Sequence, residues 1–499
     1  MTNDLLSMST NEFISGIEAV APQFDSATYP QQNLPADDWT LLTTAGVLLP
    51  ALPKEYGGRD SHIEMCRVVE TLAESNLAVG TYATIVTGLA LRPIVLWADE
   101  EAKQEVLPLY AGRDPMICGF VSTEPGCGSA MSGMTTTFEE VEGGYRIRGR
   151  KHWQAFSLSA HWLLVSARND QAGRPEYGWF IVKRSEGFRT LQRYEPLGLK
   201  VIDYGLNEID AVVPRHRRIH AEAGKLSAMV DIFLSGRAMI SAVACGFLRR
   251  ISREARVYAD TRRIGPAPLS AIRFARYRLA AIDSSYVVCA ALNHHLQTRL
   301  DLKADLTGAF PAIQAMKTVA TERMVRSAND YQQLTGGEGY RYGSPTNIAA
   351  QAFLDTRVFT IFDGNNDLLS QQLTEYCLAR QAGRPLSRFL AEWPLTAAAV
   401  TTHGLDLGFL DRDLDQEHLV LAGRAIAYAF AIGQVMQWAA ETGADAQKVR
   451  TAIGFLKADI AGVAVEFDLL STGVLGTASA TEPERASSPR LGITTGGEL

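Results

Sequence analysis

The chain has 499 residues, too many for one compact core, so two to four structural units are expected. Hydrophobic residues at 46% and charged residues at 21% are ordinary for a globular protein, and 48 basic against 55 acidic side chains leave a net charge of −7, which argues against a general nucleic-acid binder. Cysteines 66, 118, 127, 245, 289 and 377 are widely spaced with no C-x-x-C pair, a pattern of reduced thiols rather than of a disulfide frame or a zinc site. The opening Met1-Thr2-Asn3-Asp4 has neither a basic region nor an apolar core, so a cytoplasmic enzyme without a secretory leader is expected.

In chain order, residues 1–116 read as helical. Apolar side chains recur at three- and four-residue spacing, as in Met65, Val68, Val69 and Leu72, interrupted by the Pro/Gly loop Leu52 to Gly58. Over 117–224 the pattern becomes β-rich, with the runs Tyr145–Arg148, Trp162–Val165 and Trp179–Val182 separated by the turns Gly143-Gly144 and Asn169 to Gly173. This predicts a small β-barrel or sandwich of about 100 residues. Residues 225–383 return to helix, with long helices expected over 291–301 and 310–334, the second closed by Gly336-Gly337. The fold class is α+β: a helical domain, a middle β-barrel and a C-terminal four-helix bundle.

A further helical segment spans 384–475. Its apolar stretch from Ala425 to Ala440 contains Gln434 and Gln437 and is short for a membrane span of about 20 residues, so no transmembrane span is expected. A packed helix is the first reading and a surface-lying membrane helix the alternative. Residues 476–499, rich in Ser, Thr, Gly, Pro and Glu, are expected to be disordered.

Several chemistries lack their motifs. Gly126-Cys127-Gly128 and Gly337-Glu338-Gly339 are not dinucleotide fingerprints, and P-loop, H-E-x-x-H and G-x-S-x-G strings do not occur. His294 and His295 are helix neighbours that point to different faces, which disfavours a shared metal. The informative stretch runs from Phe120 to Ser129: a strand breaking into a loop with two glycines, a proline and three hydroxyls. Such a loop lets a ligand approach the main chain and can hold the polar rim of a flat cofactor or a phosphate.

That loop closely resembles the flavin-binding loop of the acyl-CoA dehydrogenase family. Four further segments resemble the same family in its order: Pro53 to Gly58; Ile147 to Trp153; Leu234 to Arg237 with Tyr258 to Gly265; and Gln333 to Tyr340 followed by Asp355 to Gly364. Together they span residues 53 to about 383. The resemblance implies bound FAD, with Phe120, Ser122 and Thr123 at the isoalloxazine edge, Trp153 flanking the ring, and Ser129 facing the acyl substrate beside Arg237 and Gly364. Arg262 resembles the arginine that meets the FAD pyrophosphate of a neighbouring subunit, and Gln333, Gly336 and Gly337 resemble a contact across that interface. Trp153 also suits a buried barrel aromatic, and Arg262-Arg263 a solvated pair, because the family's R-x-x-F-G is one residue short here.

The family's base, usually a glutamate directly before a glycine, corresponds to Asp363. A carboxylate beside Phe359, Ile361 and Phe362 should have a raised pKa. Asp363-Gly364-Asn365-Asn366 also suits a turn or helix cap. Three departures stand out: Ala155 replaces the hydroxyl that supports flavin N5, Phe156-Ser157 replaces Asn-Gly, and Asn365 and Asp367 replace the Thr and Gln at cofactor-contacting positions. Some family members carry the base directly before the helix arginine; that slot is Gly236.

The resemblance implies an FAD-dependent dehydrogenase of acyl-CoA or acyl-carrier-protein thioesters that yields a 2,3-unsaturated product. An electron-transfer flavoprotein or oxygen would be its acceptor, and a homodimer or homotetramer its assembly. A nitroalkane oxidase, which uses aspartate at the base position, a monooxygenase of the same fold, and a non-catalytic partner-binding protein are the alternatives.

Overall fold

The computed structural model describes residues 2–112, 116–128, 133–170, 175–219 and 226–475. The tail expected to be disordered, 476–499, lies outside the described residues, as does Ser129.

The first unit holds helices α1 (Thr10–Val20), α2 (Ala36–Thr44), α3 (His62–Ser75), α4 (Leu77–Thr84) and α5 (Arg92–Trp97). Asn76 separates α3 from α4. Its buried amide oxygen caps α4 at the Ala78 N–H (3.0 Å), and its nitrogen donates to Phe24 O (2.9 Å). Between α4 and α5 the chain runs as a π-helix over Ile85–Leu91. This wider turn is rare and concentrates at functional sites.

The middle unit is one eight-stranded mixed sheet: β1 (Cys118–Val121), β2 (Thr137–Val141), β3 (Gly144–His152), β4 (Trp162–Asn169), β5 (Glu176–Lys183), β6 (Phe188–Tyr194), β7 (Tyr204–Pro214) and β8 (Arg218–Ile219). The order is β6-β7-β3-β2-β4-β5-β8, with β1 parallel to β4 from Cys118↔Trp162 to Val121↔Val165. β3 pairs β7 from Gly144↔Pro214 to His152↔Leu206. The ends of β1 and β3 therefore meet, and His152 N–H donates to Thr123 O at 2.9 Å.

The second helical unit is built on α6 (Leu226–Thr261), α7 (Arg273–Arg299), α8 (Phe310–Thr335) and α9 (Asn366–Leu378). Helix α7 starts 18 residues before the expected Ala291, since 291 − 273 = 18. Its first half carries Arg273, Arg276, Arg278 and Asp283, which mask the apolar period.

The additional segment adds α10 (Gln416–Thr442) and α11 (Ala446–Ser471). Helix α10 is longer than its apolar stretch suggested, and it packs against α7, α8, α9 and α11. Against α9 the backbones come very close. A Cβ added at Gly423 would stand 2.0 Å from Ser370 O, so only glycine lets the two backbones meet there. Thr374 donates to Leu419 O (2.7 Å), and Arg424 pairs with Asp367 (2.7 Å). Three helical stretches, Leu77–Trp97, Val230–Thr261 and Gln416–Thr442, are long and apolar enough to cross a membrane, yet 83%, 83% and 72% of their apolar windows are buried inside the fold. Helix–helix packing accounts for their hydrophobicity.

Candidate active site

The Phe120 to Cys127 loop is locally determined. Glu124 and Cys127 exchange backbone hydrogen bonds (3.2 and 3.0 Å) around Pro125-Gly126, and Gly126 sits at φ 81. Proline followed by a left-handed glycine is the signature of a type II turn. What holds the loop to the sheet is long-range. Lys151 Nζ, fully buried, donates to Ser122 O (3.0 Å), Glu124 Oε1 (2.8 Å) and Ser166 Oγ (3.0 Å). The Glu124 carboxylate, equally buried, also accepts from Thr135 N–H (2.6 Å) and Thr136 N–H (3.0 Å). Burial would raise the Glu124 carboxyl, but the Lys151 charge and these donors bring it down to about 2. Burial pushes Lys151 down to about 8, against the pull of Glu124.

Gln154 Nε2 donates to Thr123 O (3.0 Å), so the Ser122 and Thr123 carbonyls are both engaged from within. Their hydroxyls have no partner among the described residues. Phe120 is half-buried, stacked on Trp179 (5.0 Å) and edge-on to Phe233 (5.6 Å).

Trp153 follows β3 directly. It is 51% exposed, and its backbone takes φ 58, an uncommon state for a bulky side chain, of order 1–3 kcal/mol in strain. Its N–H donates to Gly205 O (3.0 Å), and its ring lies 4.7 Å from that of Tyr194. The reading as a buried barrel aromatic is thereby corrected: this indole stands open beside the loop, because its left-handed backbone turns it off the strand. Ala155 is buried two residues on. The nearby Ser157 hydroxyl is consumed internally, donating to Gln154 O (2.8 Å) and accepting from Asn207 Nδ2 (2.9 Å).

Arg262 is exposed, and its guanidinium has no partner among the described residues. Gln333, Gly336 and Gly337, at the end of α8, are exposed as well. Tyr258 OH donates to Thr335 O (3.1 Å), which brings the end of α6 that carries Arg262 to the end of α8.

The third element is the turn between Thr360 and α9. Asp363 (φ 56) and Gly364 (φ 89) are consecutive left-handed residues, and buried or half-buried cations hold both carbonyls. Arg237 Nε donates to Asp363 O (2.8 Å), and Lys317 Nζ donates to Gly364 O (2.7 Å) and Asn366 Oδ1 (2.8 Å). Arg237 is itself fixed by Gln314 Oε1 (2.9 Å). Burial raises the Asp363 carboxyl above its ordinary range, with the Arg237 and Lys317 charges working against it. Lys317 is fully buried, which pushes it down to about 7 despite the Asp363 charge.

The Asp363 carboxylate lies against α6 at Gly236. A Cβ there would be 2.9 Å from Asp363 Oδ2 and 2.6 Å from Leu89 Cδ2. The two positions singled out in the sequence, 236 and 363, thus converge, and the absence of a side chain at 236 leaves room for the Asp363 carboxylate.

The helix cap is Asn365, whose Oδ1 accepts from Leu368 N–H (2.8 Å), and Asp367 is paired with Arg424. Capping therefore falls to Asn365, which leaves the Asp363 carboxylate outside that role. Sequence reasoning missed Lys317, Glu124 and Lys151. A signal for Lys317 existed: a lone charge within the stretch Ala312-Ile313-Gln314-Ala315-Met316-Lys317-Thr318-Val319-Ala320, in the otherwise mostly apolar first half of α8.

Three family models match: the acyl-CoA dehydrogenase N-terminal domain over residues 7–114, the middle domain over 119–212 and the C-terminal domain over 224–378. The chain belongs to the acyl-CoA dehydrogenase family. It is 24% identical over 341 residues to an acyl-CoA dehydrogenase of Bacillus subtilis (strain 168), covering 67% of this chain and 87% of that one. It is 25% identical over 362 residues to isovaleryl-CoA dehydrogenase of Oryza sativa subsp. japonica, covering 70% and 85%. Among solved structures, an acyl-CoA dehydrogenase complexed with FAD from Bacillus anthracis superposes with a TM-score of 0.75 at 19% identity, over 95% of this chain and 92% of that one. Butyryl-CoA dehydrogenase from Megasphaera elsdenii gives 0.65 at 20% identity over 75% and 99%. The wider cover of the first extends the likeness into the helices beyond the family models. The protein is thus an FAD-dependent oxidoreductase with the family's three-part fold.

Proposed function

We propose that the protein is an acyl-thioester dehydrogenase in which Asp363 removes the α-proton. The observation that carries this reading is the Asp363 turn: a carboxylate of raised pKa, aimed at Gly236 over an apolar cavity, with its backbone held by Arg237 and Lys317.

The surrounding residues fit FAD. Ser122 and Thr123 offer hydroxyls and Arg262 a fork suited to a pyrophosphate, none of them partnered among the described residues, and Trp153 offers an open aromatic face, with Gln333, Gly336 and Gly337 at the same end of the bundle. Bound FAD supplies a two-electron acceptor for the β-hydride. The chain's own contribution is the proton. The Asp363 carboxylate takes it from Cα, and the pKa raised by burial makes it a stronger base than an ordinary aspartate. Arg237 and Lys317 hold the Asp363 and Gly364 carbonyls, which fixes the main chain from which that carboxylate projects. Ala155 offers no hydroxyl where the resemblance places the support of flavin N5. The acceptor would be an electron-transfer flavoprotein or oxygen, and the substrate carrier CoA or a carrier protein.

Anaerobic titration of the FAD-loaded protein with acyl-CoAs, acyl-carrier proteins and nitroalkanes tests the reading. Bleaching by a saturated thioester, with a 2-enoyl product, is expected. Bleaching by nitroalkanes alone would replace it with nitroalkane oxidation, which the aspartate at 363 favours. A protein that cannot be loaded with FAD would overturn both.

A further inference from the structure

Behind the Asp363 carboxylate two helical stripes face each other. One is Thr81, Ile85 and Leu89 at four-residue spacing along α4 and the π-helix; the other is Gly236, Ile240 and Val243 along α6, with Phe359 and Phe362 closing the side. The space between them has a volume of about 10 Å³, room for roughly one water molecule.

Its walls have little freedom to retreat. Ile85, Ile240, Val243 and Phe359 are buried core residues. Leu89 is wedged against the Gly236 backbone. The Thr81 and Thr84 hydroxyls return to their own helix, donating to Leu77 O (2.7 Å) and Gly80 O (2.9 Å), so among the lining residues only the Asp363 carboxylate offers a polar group to the cavity.

We propose that this protein acts on short acyl groups of about four or five carbons, straight or branched, with Ile85, Leu89 and Ile240 setting the limit by filling the space an extended chain needs. The inference rests on the acyl-thioester reading. In that reading Cα and Cβ lie over Asp363, and carbons beyond Cβ enter this cavity. One further carbon fits about a water's volume; additional methylenes must displace packed core side chains, which is unfavourable. Pocket contacts discriminate by roughly 10–200-fold per methylene, so the loss of efficiency between four and eight carbons should be about tenfold or more.

The test uses the full FAD-loaded chain. Rates of anaerobic flavin reduction are measured with butanoyl-, 3-methylbutanoyl-, hexanoyl-, octanoyl- and dodecanoyl-CoA, and Kd values with the matching 2-enoyl-CoAs from the shift in flavin absorbance. Expected are the highest kcat/KM and tightest binding at four or five carbons, and an optimum displaced to longer chains in Ile85→Ala and Ile240→Ala. The wild-type series decides even where a variant fails to fold. Reduction by dodecanoyl-CoA as efficient as by butanoyl-CoA overturns this inference and leaves the proposed function standing. A loaded flavin that no thioester of any length reduces or perturbs overturns the proposed function, and this inference with it.

Discussion

Substitution Glu124→Gln keeps the side chain's shape and removes its charge beneath the Ser122–Thr123 cradle. In the folded protein Glu124 falls from 4.5 to about 2, a stabilisation of roughly 3 kcal/mol at about 1.4 kcal/mol per pH unit. That term is present above pH 4.5 and lost as pH falls toward 2. Lys151 falls from 10.5 to about 8, a penalty of similar size that holds below pH 8 and fades between 8 and 10.5. Both shifts contain the same Glu124–Lys151 attraction, and desolvation of the two charges offsets much of it, so the intact pair adds little net stability at pH 7, as buried pairs often do. Removing Glu124 alone leaves the Lys151 ammonium buried without its counter-charge, for an expected loss of about 3–5 kcal/mol. Urea unfolding at pH 7 followed by absorbance of retained FAD measures it. The deficit should shrink at pH 9, where Lys151 loses its proton, and in the double variant Glu124→Gln/Lys151→Met. A single variant within about 1 kcal/mol of the wild type, or a double variant no better than the single, would refute the reasoning.

Asp363→Asn should retain FAD yet slow flavin reduction by thioesters by about 10²–10⁴-fold, the usual contribution of a positioned base; unchanged single-turnover rates would remove Asp363 from that role. Gly236→Ala places a methyl 2.9 Å from Asp363 Oδ2 and 2.6 Å from Leu89, so reduction should fall by about 10²-fold, the effect of an ångström-scale misplacement, while FAD absorbance persists. Because the free base is the active form and its pKa is raised, the acidic limb of the rate should lie above the ordinary aspartate value, and Lys317→Met should move it higher by removing a cation that lowers it; stopped-flow pH profiles showing a downward move would contradict this. Gly423→Ala sets a Cβ 2.0 Å from Ser370 O, backbone that cannot yield cheaply, and should cost at least about 1–3 kcal/mol in denaturant titration.

What could be read along the chain was whatever short-range chemistry decides. Pro125-Gly126 specifies its turn wherever it occurs, the continuous apolar run Trp162 to Val165 belongs to a buried strand, and the ordered motifs from Pro53 to Gly364 identify the family and its flavin loop. Helix boundaries failed where charge obscured the period, as at the arginine-rich start of α7. Tertiary structure decided the surroundings of the proposed base. Desolvation raises Asp363, and desolvation acts only once α6 and α8 close around the turn. The absent side chain at Gly236 leaves the space against which the Asp363 carboxylate lies. Lys317 and Lys151 read as ordinary cations in the chain, and each becomes a buried clamp only when distant carbonyls converge on it. Local propensity belongs to neighbours in sequence; burial and charge pairing belong to neighbours in space.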